Sequence, residues 1–115
     1  VVGVDPAYMG IGPAFAIPAG LKQCGLTDKD IDVYEINEAF ASQAMMSIKH
    51  LNIDINKVNP NGGAIALGHP LGMTGARQVS TLLNELQRRR ARYGVISMCI
   101  GSGMGACAVI ENEKL

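Results

Sequence analysis

The last third of the chain, "YGVISMCIGSGMGACAVIE", leaves few folds open. Two apolar runs, Tyr93 to Ile100 and Ala106 to Glu111, are separated only by the glycine-rich "GSGMG". Each run is too short for a good helix and is rich in Val and Ile, which favours buried strands. Because the link between them is so tight, we expect the two strands to pair antiparallel.

Helical and extended segments alternate before this pair. Apolar spacing predicts a helix over Pro13 to Cys24, with Gly25 as its stop, and Pro18 should kink or shorten it. "IDVYEI" predicts a short strand, and "EAFASQAMMSIKHL" directly after Asn37 predicts a second helix. A third helix should run from about Gly72 to Arg90. The alternation predicts one layered α/β domain, with a mostly parallel sheet and an antiparallel last strand.

The composition restricts the classes of function. Ten Lys and Arg balance ten Asp and Glu, and few of the residues are aromatic, so a nucleic-acid partner is not expected. With 48% hydrophobic and 17% charged residues, the surface is better suited to a protein partner. Three cysteines without a CxxC pair argue against a disulfide framework and a zinc site, and indicate a reducing compartment. No apolar run reaches the ~18 residues that a membrane span needs.

Three polar residues stand among glycines where strands or loops end: Asn37, His69 and Cys99. Catalytic groups of open α/β sheets collect at the carboxyl ends of strands, where Asn37 and Cys99 should lie. From the residues alone, Asn37 is more simply an N-cap of the next helix, and Cys99 a small buried side chain. His69, within "GGAIALGHPLGMTGAR", fits a structural turn and a general base equally well. That stretch lacks the spacing of a phosphate-binding loop.

Three motifs in order carry a family resemblance. "NEAFA" (37 to 41), "NGGAIALGHPLGMTGAR" (61 to 77) and "CIGSGMG" (99 to 105) resemble the C-terminal signatures of the thiolases. The opening "VVGVDPAYMGIGPAFAIP" is similar to the same family, so the resemblance covers nearly the whole chain. "GHPLGMTGARQV" and "SMCIGSGMG" look most like the peroxisomal type of 3-ketoacyl-CoA thiolase. The resemblance implies one α/β/α half of the thiolase fold.

The resemblance also implies a reaction and a set of roles. Thiolases cleave a 3-ketoacyl-CoA with CoA to acetyl-CoA and a shortened acyl-CoA, through an acyl group on a cysteine. By this resemblance His69 would activate that cysteine and donate to the thioester oxygen, and Asn37 would hold a water that supplies a second donor. Cys99 would be the acid/base at the α-carbon, and the Gly101 amide would line a second oxyanion hole. A biosynthetic acetoacetyl-CoA-type thiolase and a non-catalytic interaction domain are the alternatives.

The resemblance further implies what these 115 residues do not hold. The family's nucleophilic cysteine lies in an N-terminal half, and neither Cys24 nor Cys107 matches its motif. We therefore expect a separated C-terminal domain, with its first strand missing or cut short before Val1, that cannot turn over alone. The expected partners are the N-terminal half, a second copy in a homodimer, and acyl-CoA and CoA as substrates, with no cofactor, metal or membrane. We expect a peroxisomal location, although the terminal "EKL" is a poor match to an SKL-type address, and mitochondrion and cytosol stay open.

Overall fold

A computed structural model describes residues 1–114, so Leu115, the last residue of the "EKL" tripeptide, lies outside the described part. Four strands occur in that range: β1 (Val2–Gly3), β2 (Val33–Ile36), β3 (Tyr93–Ile100) and β4 (Met104–Glu111). The α-helices of the same range are α1 (Gly12–Cys24), α2 (Ala41–His50), α3 (Ala64–Leu67) and α4 (Thr74–Arg89). Single 3-10 segments at Pro6–Ile11, Asp28–Asp30 and Ile55–Lys57 connect them.

The four strands form one mixed sheet in the order β1-β4-β3-β2. The predicted antiparallel pair at the end of the chain is confirmed, from Tyr93 opposite Glu111 to Ile100 opposite Met104. The expectation of a mostly parallel sheet needs correction, because only β2 and β3 run parallel. The short β1 adds a second antiparallel pairing, with Val2 opposite Gly105. This strand was not predicted because two residues are too few to leave a periodic pattern in the sequence.

Helices cover both faces of the sheet, which confirms the layered α/β fold. On one face, Ile17 of α1 and Ile48 of α2 pack with Tyr34, Ile36 and Val95 in the larger core cluster. On the other face, α4 buries two leucines against β2 in a smaller cluster, which comprises Val33, Leu82 and Leu86. All four residues of β2 are therefore buried, as expected for a strand with a helix layer on each side.

The sequence predicts that Pro18 kinks or shortens α1, but the helix continues through it from Gly12 to Cys24, so Pro18 does not shorten the helix. The helix ends at Gly25 in the left-handed conformation, as predicted. Pro18 cannot donate a helix hydrogen bond, and the same helix packs closely on β4. A Cβ on Gly12 would lie 2.8 Å from the Cα of Gly105, and one on Gly20 would lie 2.6 Å from the Cys107 sulfur, so α1 approaches the strand as only glycine permits.

The C-terminal end of α4 is held by one buried carboxylate. Glu85 accepts hydrogen bonds from Arg88, at 2.6 Å, and from Arg89, while its own side chain is only 1% exposed. It also accepts from the Asn61 amide at 2.9 Å, which ties α4 to the loop before α3. The hydrogen bond from Arg88, helped by Asn61 and Arg89, lowers the pKa of Glu85 to about 2 despite its burial.

We expect Glu85→Gln to lower the free energy of unfolding by about 1–3 kcal/mol at pH 7, because buried partners lose a charged acceptor. The folded-state pKa lies below the ordinary value of 4.5, so the stabilisation is complete above that pH and disappears as the pH falls towards 2. Urea unfolding at pH 7 and pH 3 measures this change. Glu111→Gln is the control, because its pair with Arg92 is exposed and should contribute less than ~1 kcal/mol. An equal loss for Glu85→Gln at both pH values would contradict this account.

Candidate active site

The carboxyl ends of β2 and β3 lie side by side, because these two strands are parallel. Asn37 directly follows β2, and its backbone N–H donates to the carbonyl of Ser97 in β3 at 2.9 Å. Cys99 lies two residues beyond Ser97 on the same strand, and the turn that contains Gly101 follows. Three of the four predicted site residues thus belong to one edge of the sheet, where open α/β folds place their sites.

His69 reaches this edge from the loop after α3. Its Nε2 lies 3.4 Å from the Asn37 side-chain nitrogen, and its Nδ1 lies 2.5 Å from the hydroxyl of Thr74, the first residue of α4. Gly68, directly before the ring, has a φ of 100°, a backbone conformation that favours glycine. The ring is therefore positioned by its side-chain contacts with Asn37 and Thr74.

The interpretation of Asn37 as an N-cap is wrong. Helix α2 begins at Ala41 with Phe40 in the N-cap position. The Gln43 side chain accepts from the Phe40 N–H at 3.3 Å, so this end of the helix is satisfied without Asn37. The Asn37 side chain does not cap the helix. It is fully buried, and its nitrogen contacts His69.

One polar atom of Asn37 is left over. Among residues 1–114 its side-chain oxygen is buried and meets no hydrogen-bond partner. A buried amide oxygen without a partner costs free energy, so such an atom is normally paired with water or with a ligand. An acceptor of this kind beside an imidazole is suited to hold a water molecule at the site.

Glu38 is a site residue that the sequence pattern did not reveal. Its carboxylate accepts from the Asn59 amide at 3.1 Å and from the Ile65 backbone N–H at 3.0 Å, which locks α3 and its loop to the end of β2. A Cβ on Gly63 would overlap this carboxylate, which explains one of the paired glycines. The position of Glu38 directly after Asn37, within "NEAFA", is the sequence signal that could have indicated it.

An open pocket of about 430 Å³ lies beside the imidazole. Its wall is mostly apolar, apart from the histidine and Thr74, and is built from the loop after α3, the start of α4 and β3. The lining residues are His69, Pro70, Leu71, Gly72, Thr74, Gly75 and Met98. The His69 ring is exposed to this space, so a small acyl group can reach it.

Cys99 is a protonated thiol in this setting. Its side chain is 8% exposed, and burial raises the pKa of the thiol, while its own backbone N–H acts weakly in the opposite direction. A neutral thiol can donate a proton, which suits an acid.

Gly101 follows in the exposed turn, where no heavy atom lies within 4 Å of a Cβ added to it, so its backbone is open to a ligand.

A buried ion pair beneath the edge has no signature in the sequence. Glu35 is completely buried in β2 and accepts from Arg77 of α4 at 3.0 Å. Burial raises the pKa of this carboxyl to about 7, although the Arg77 charge opposes the shift. The neighbouring Gln78 donates to the carbonyls of Glu35 and Ser97, at 2.8 and 3.1 Å. The first turns of α4 are thereby attached to both parallel strands.

We expect Arg77→Met to lower the free energy of unfolding by about 3 kcal/mol at pH 8, because it leaves a buried carboxylate without its counter-charge. Loss of Arg77 raises the folded-state pKa of Glu35 further, so the penalty grows as the pH rises through 7 and is small at pH 5, where this carboxyl is protonated. Urea unfolding at the two pH values checks this. The double variant Arg77→Met/Glu35→Gln should lose the pH dependence, and a penalty equal at pH 5 and pH 8 would disprove the explanation.

Two other features are absent from residues 1–114. No group of three or more His, Cys, Asp and Glu side chains is placed to hold a metal ion there. Within the same range no helix has the length and apolar character that a bilayer crossing requires.

Comparison with known proteins places this arrangement in a family. Residues 1–112 match the family described as "Thiolase, C-terminal domain". Peroxisomal 3-ketoacyl-CoA thiolase B of Rattus norvegicus is 70% identical over 112 residues, which cover 96% of this chain and 26% of that protein. The chain therefore spans about a quarter of the length of the curated relatives that it matches.

Solved structures agree with the sequence comparison. The dimeric peroxisomal thiolase of Saccharomyces cerevisiae superimposes with a TM-score of 0.90 at 61% identity, over 96% of this chain and 28% of that one. Human mitochondrial 3-ketoacyl-CoA thiolase in complex with CoA gives a TM-score of 0.94 at 51% identity, with the same two coverages. Since a family match, high identity and a shared fold all extend over nearly every residue, the chain belongs to the thiolase family, as a C-terminal domain.

Proposed function

We propose that this chain supplies the C-terminal half of the active site of a peroxisomal 3-ketoacyl-CoA thiolase. The observation that carries the proposal is the contact of His69 with Asn37, at 3.4 Å, on the sheet edge to which the buried Cys99 thiol belongs. The 70% identity to a peroxisomal 3-ketoacyl-CoA thiolase supports the substrate class and the compartment. Coenzyme A takes part as a substrate, as acceptor of the acyl group.

In the proposed reaction, the nucleophilic cysteine of an N-terminal half attacks the 3-keto carbon of the substrate. His69 takes the proton of that thiol at Nε2 as general base. The bond between C2 and C3 breaks, the shortened acyl group stays on the cysteine, and the electron pair moves to C2 as an enolate. Cys99 then protonates C2, which releases acetyl-CoA and leaves Cys99 as a thiolate. The thiol of a second CoA gives its proton to this thiolate, and its sulfur takes the acyl group. The nucleophilic cysteine departs as a thiolate and regains its proton from the His69 imidazolium.

Charge develops on the thioester oxygen of the enolate, and two donors meet it. The His69 imidazolium is the first, and a water held by the unpartnered Asn37 oxygen is the second. The backbone N–H of Gly101 donates to the other oxyanion, at the carbonyl under nucleophilic attack. Each donor of this kind is typically worth ~3 kcal/mol of barrier.

The exposed apolar surface near the site supports an N-terminal half as partner. Several large hydrophobic side chains at the start of α2 and on it, on α3 and in the loop after α3 are exposed, which is unusual for a surface that faces water. They include Phe40, Met45, Ile65, Leu67 and Leu71. An adjoining domain would bury this area, and a second copy would complete a homodimer like that of the yeast thiolase.

A chimeric enzyme tests the proposal directly. Residues 1–112 replace the matching segment of the rat peroxisomal thiolase, and 3-ketoacyl-CoA thiolysis is followed at the substrate chromophore. We expect a kcat/KM within about tenfold of the parent, since 70% of the exchanged residues are identical. The 115-residue chain alone should show no turnover. A folded chimera without thiolysis would favour the interaction-domain alternative, and activity of the isolated chain would disprove the need for a second half.

A further inference from the structure

The hydrogen bonds around His69 involve Thr74, which was not among the predicted site residues. We infer that the Thr74 hydroxyl keeps the imidazole proton of His69 on Nδ1, so that Nε2 carries a free electron pair towards the site. Thr74 is then a positioning residue. Its catalytic meaning rests on the proposed function, whereas the position of the proton does not.

Thr74 has two neighbours for one hydroxyl proton. Its oxygen lies 2.5 Å from Nδ1 of His69 and 3.4 Å from the carbonyl oxygen of Pro70. A carbonyl oxygen can only accept, so the hydroxyl proton is directed to Pro70. The hydroxyl lone pair then faces Nδ1, which must carry the proton for a bond to form. A neutral imidazole has one N–H, and Nε2 is left as an acceptor.

The other side of the ring agrees with this assignment. The side-chain nitrogen of Asn37 lies 3.4 Å from Nε2, and an amide NH₂ group only donates. The opposite tautomer would set two donors against each other in a place where Asn37 is completely buried. The Asn37 oxygen does not take part in this contact, and it has no hydrogen-bond partner within residues 1–114. Both neighbours of the ring therefore favour the same tautomer.

The hydroxyl can impose this state because it belongs to the rigid part of the site. Thr74 is 5% exposed at the start of α4, and one turn later Gln78 donates to the backbone of both parallel strands. His69 itself is exposed and lies in an irregular segment after Gly68, so the ring depends on an anchor for its orientation. Thr74 thus fixes the orientation of the imidazole relative to the sheet.

The arrangement serves both protonation states that the proposed reaction requires. In the resting state Nε2 accepts the proton of the attacking thiol. After this transfer the ring is an imidazolium with two N–H groups, and Nδ1 continues to donate to the same hydroxyl. Nε2–H can no longer accept from the Asn37 amide, so it donates to the developing oxyanion from the same ring orientation. A fixed donor needs no reorganisation when charge develops, which is the property that makes it effective.

The position of the proton can be measured by ¹⁵N–¹H correlation NMR of the imidazole nitrogens at a pH where both histidines are neutral. The full 115-residue chain is used, and the exposed His50 serves as internal reference for an unconstrained ring. We expect a protonated Nδ1 and an unprotonated Nε2 for His69 in the wild type. Thr74→Ser should keep this signature, and Thr74→Val should shift it towards that of His50. Thr81→Val is the matched control on α4, because its hydroxyl donates only to the Arg77 carbonyl.

Kinetics of the chimeric enzyme supply a second readout that a purely structural role would not reproduce. Thr74→Val should lower kcat by roughly 10- to 100-fold with little change in KM, since a buried N–H loses its acceptor and binding of the CoA portion does not involve the ring. Thr74→Ser should recover most of the loss, and Thr81→Val should have no effect. Circular dichroism spectra show whether each variant is folded.

The outcomes separate this inference from the proposed function. A wild-type His69 protonated on Nε2, or a Thr74→Val variant that keeps the Nδ1 proton, would overturn the inference. If the NMR signature behaves as expected while the wild-type chimera lacks thiolysis, the role of Thr74 in holding the proton stands and the proposed function fails. If Thr74→Val fails to fold, the wild-type and Thr74→Ser spectra still decide, because both must show the Nδ1 proton.

Discussion

Replacement of His69 by alanine in the chimeric enzyme should lower kcat/KM for thiolysis by about 10⁴-fold. A positioned general base contributes ~10²- to 10⁴-fold, and the loss of an oxyanion donor costs a further ~10²- to 10³-fold. The two contributions come from one nitrogen, so they overlap and do not multiply fully. The measurement is the steady-state rate with a short 3-ketoacyl-CoA at several substrate concentrations.

His50→Ala is the control for this experiment. It removes the other histidine of the chain, an exposed residue at the last position of α2, and should leave the rate unchanged. If His69→Ala stayed within about tenfold of the wild type, the imidazole would be neither base nor donor, and the proposed division of roles would be wrong.

Replacement of Cys99 by alanine should separate two steps that wild-type kinetics combine. Cleavage of the carbon–carbon bond should fall by about 10³-fold, because no acid remains to protonate C2 of the enolate. Exchange of an acyl group between an acyl-CoA and free CoA uses only the nucleophile and the oxyanion donors, so it should stay within about tenfold of the wild type. Thiolysis and labelled-CoA exchange are measured on the same preparation.

Cys24→Ala provides the comparison, since this exposed cysteine at the end of α1 should affect neither rate. Equal loss of cleavage and exchange in Cys99→Ala would point to a damaged fold and not to a missing acid. Unchanged cleavage would remove Cys99 from the mechanism altogether.

Several elements could be predicted because their physical causes are local. The antiparallel pair at the end of the chain follows from two short Val- and Ile-rich runs around a glycine-rich link, and α1 ends at Gly25 because a left-handed stop needs no side chain. The resemblance to thiolases pointed to His69 and Asn37, and the contact of their side chains agrees with a shared site.

Other elements were missed because their causes are distant in sequence. The pairing of Glu35 with Arg77 joins residues 42 positions apart, and no spacing rule indicates it. Asn37 has the pattern of an N-cap, and only the Gln43 side chain, which takes over at the Phe40 N–H, decides otherwise. The four-residue α3 is too short to show an amphipathic pattern in the sequence.

The close contact between Gly12 of α1 and Gly105 of β4 has a consequence for folding. Gly105 lies opposite Cys99 in the hairpin, and a Cβ on Gly12 would lie 3.2 Å from the Cys99 Cα. A slip of β4 against β3 by one residue would bring Ala106 or Met104 under the helix in place of Gly105, where no Cβ fits. Docking of α1 therefore favours a single register of the hairpin, and two residues without side chains determine which part of β4 lies opposite the cysteine.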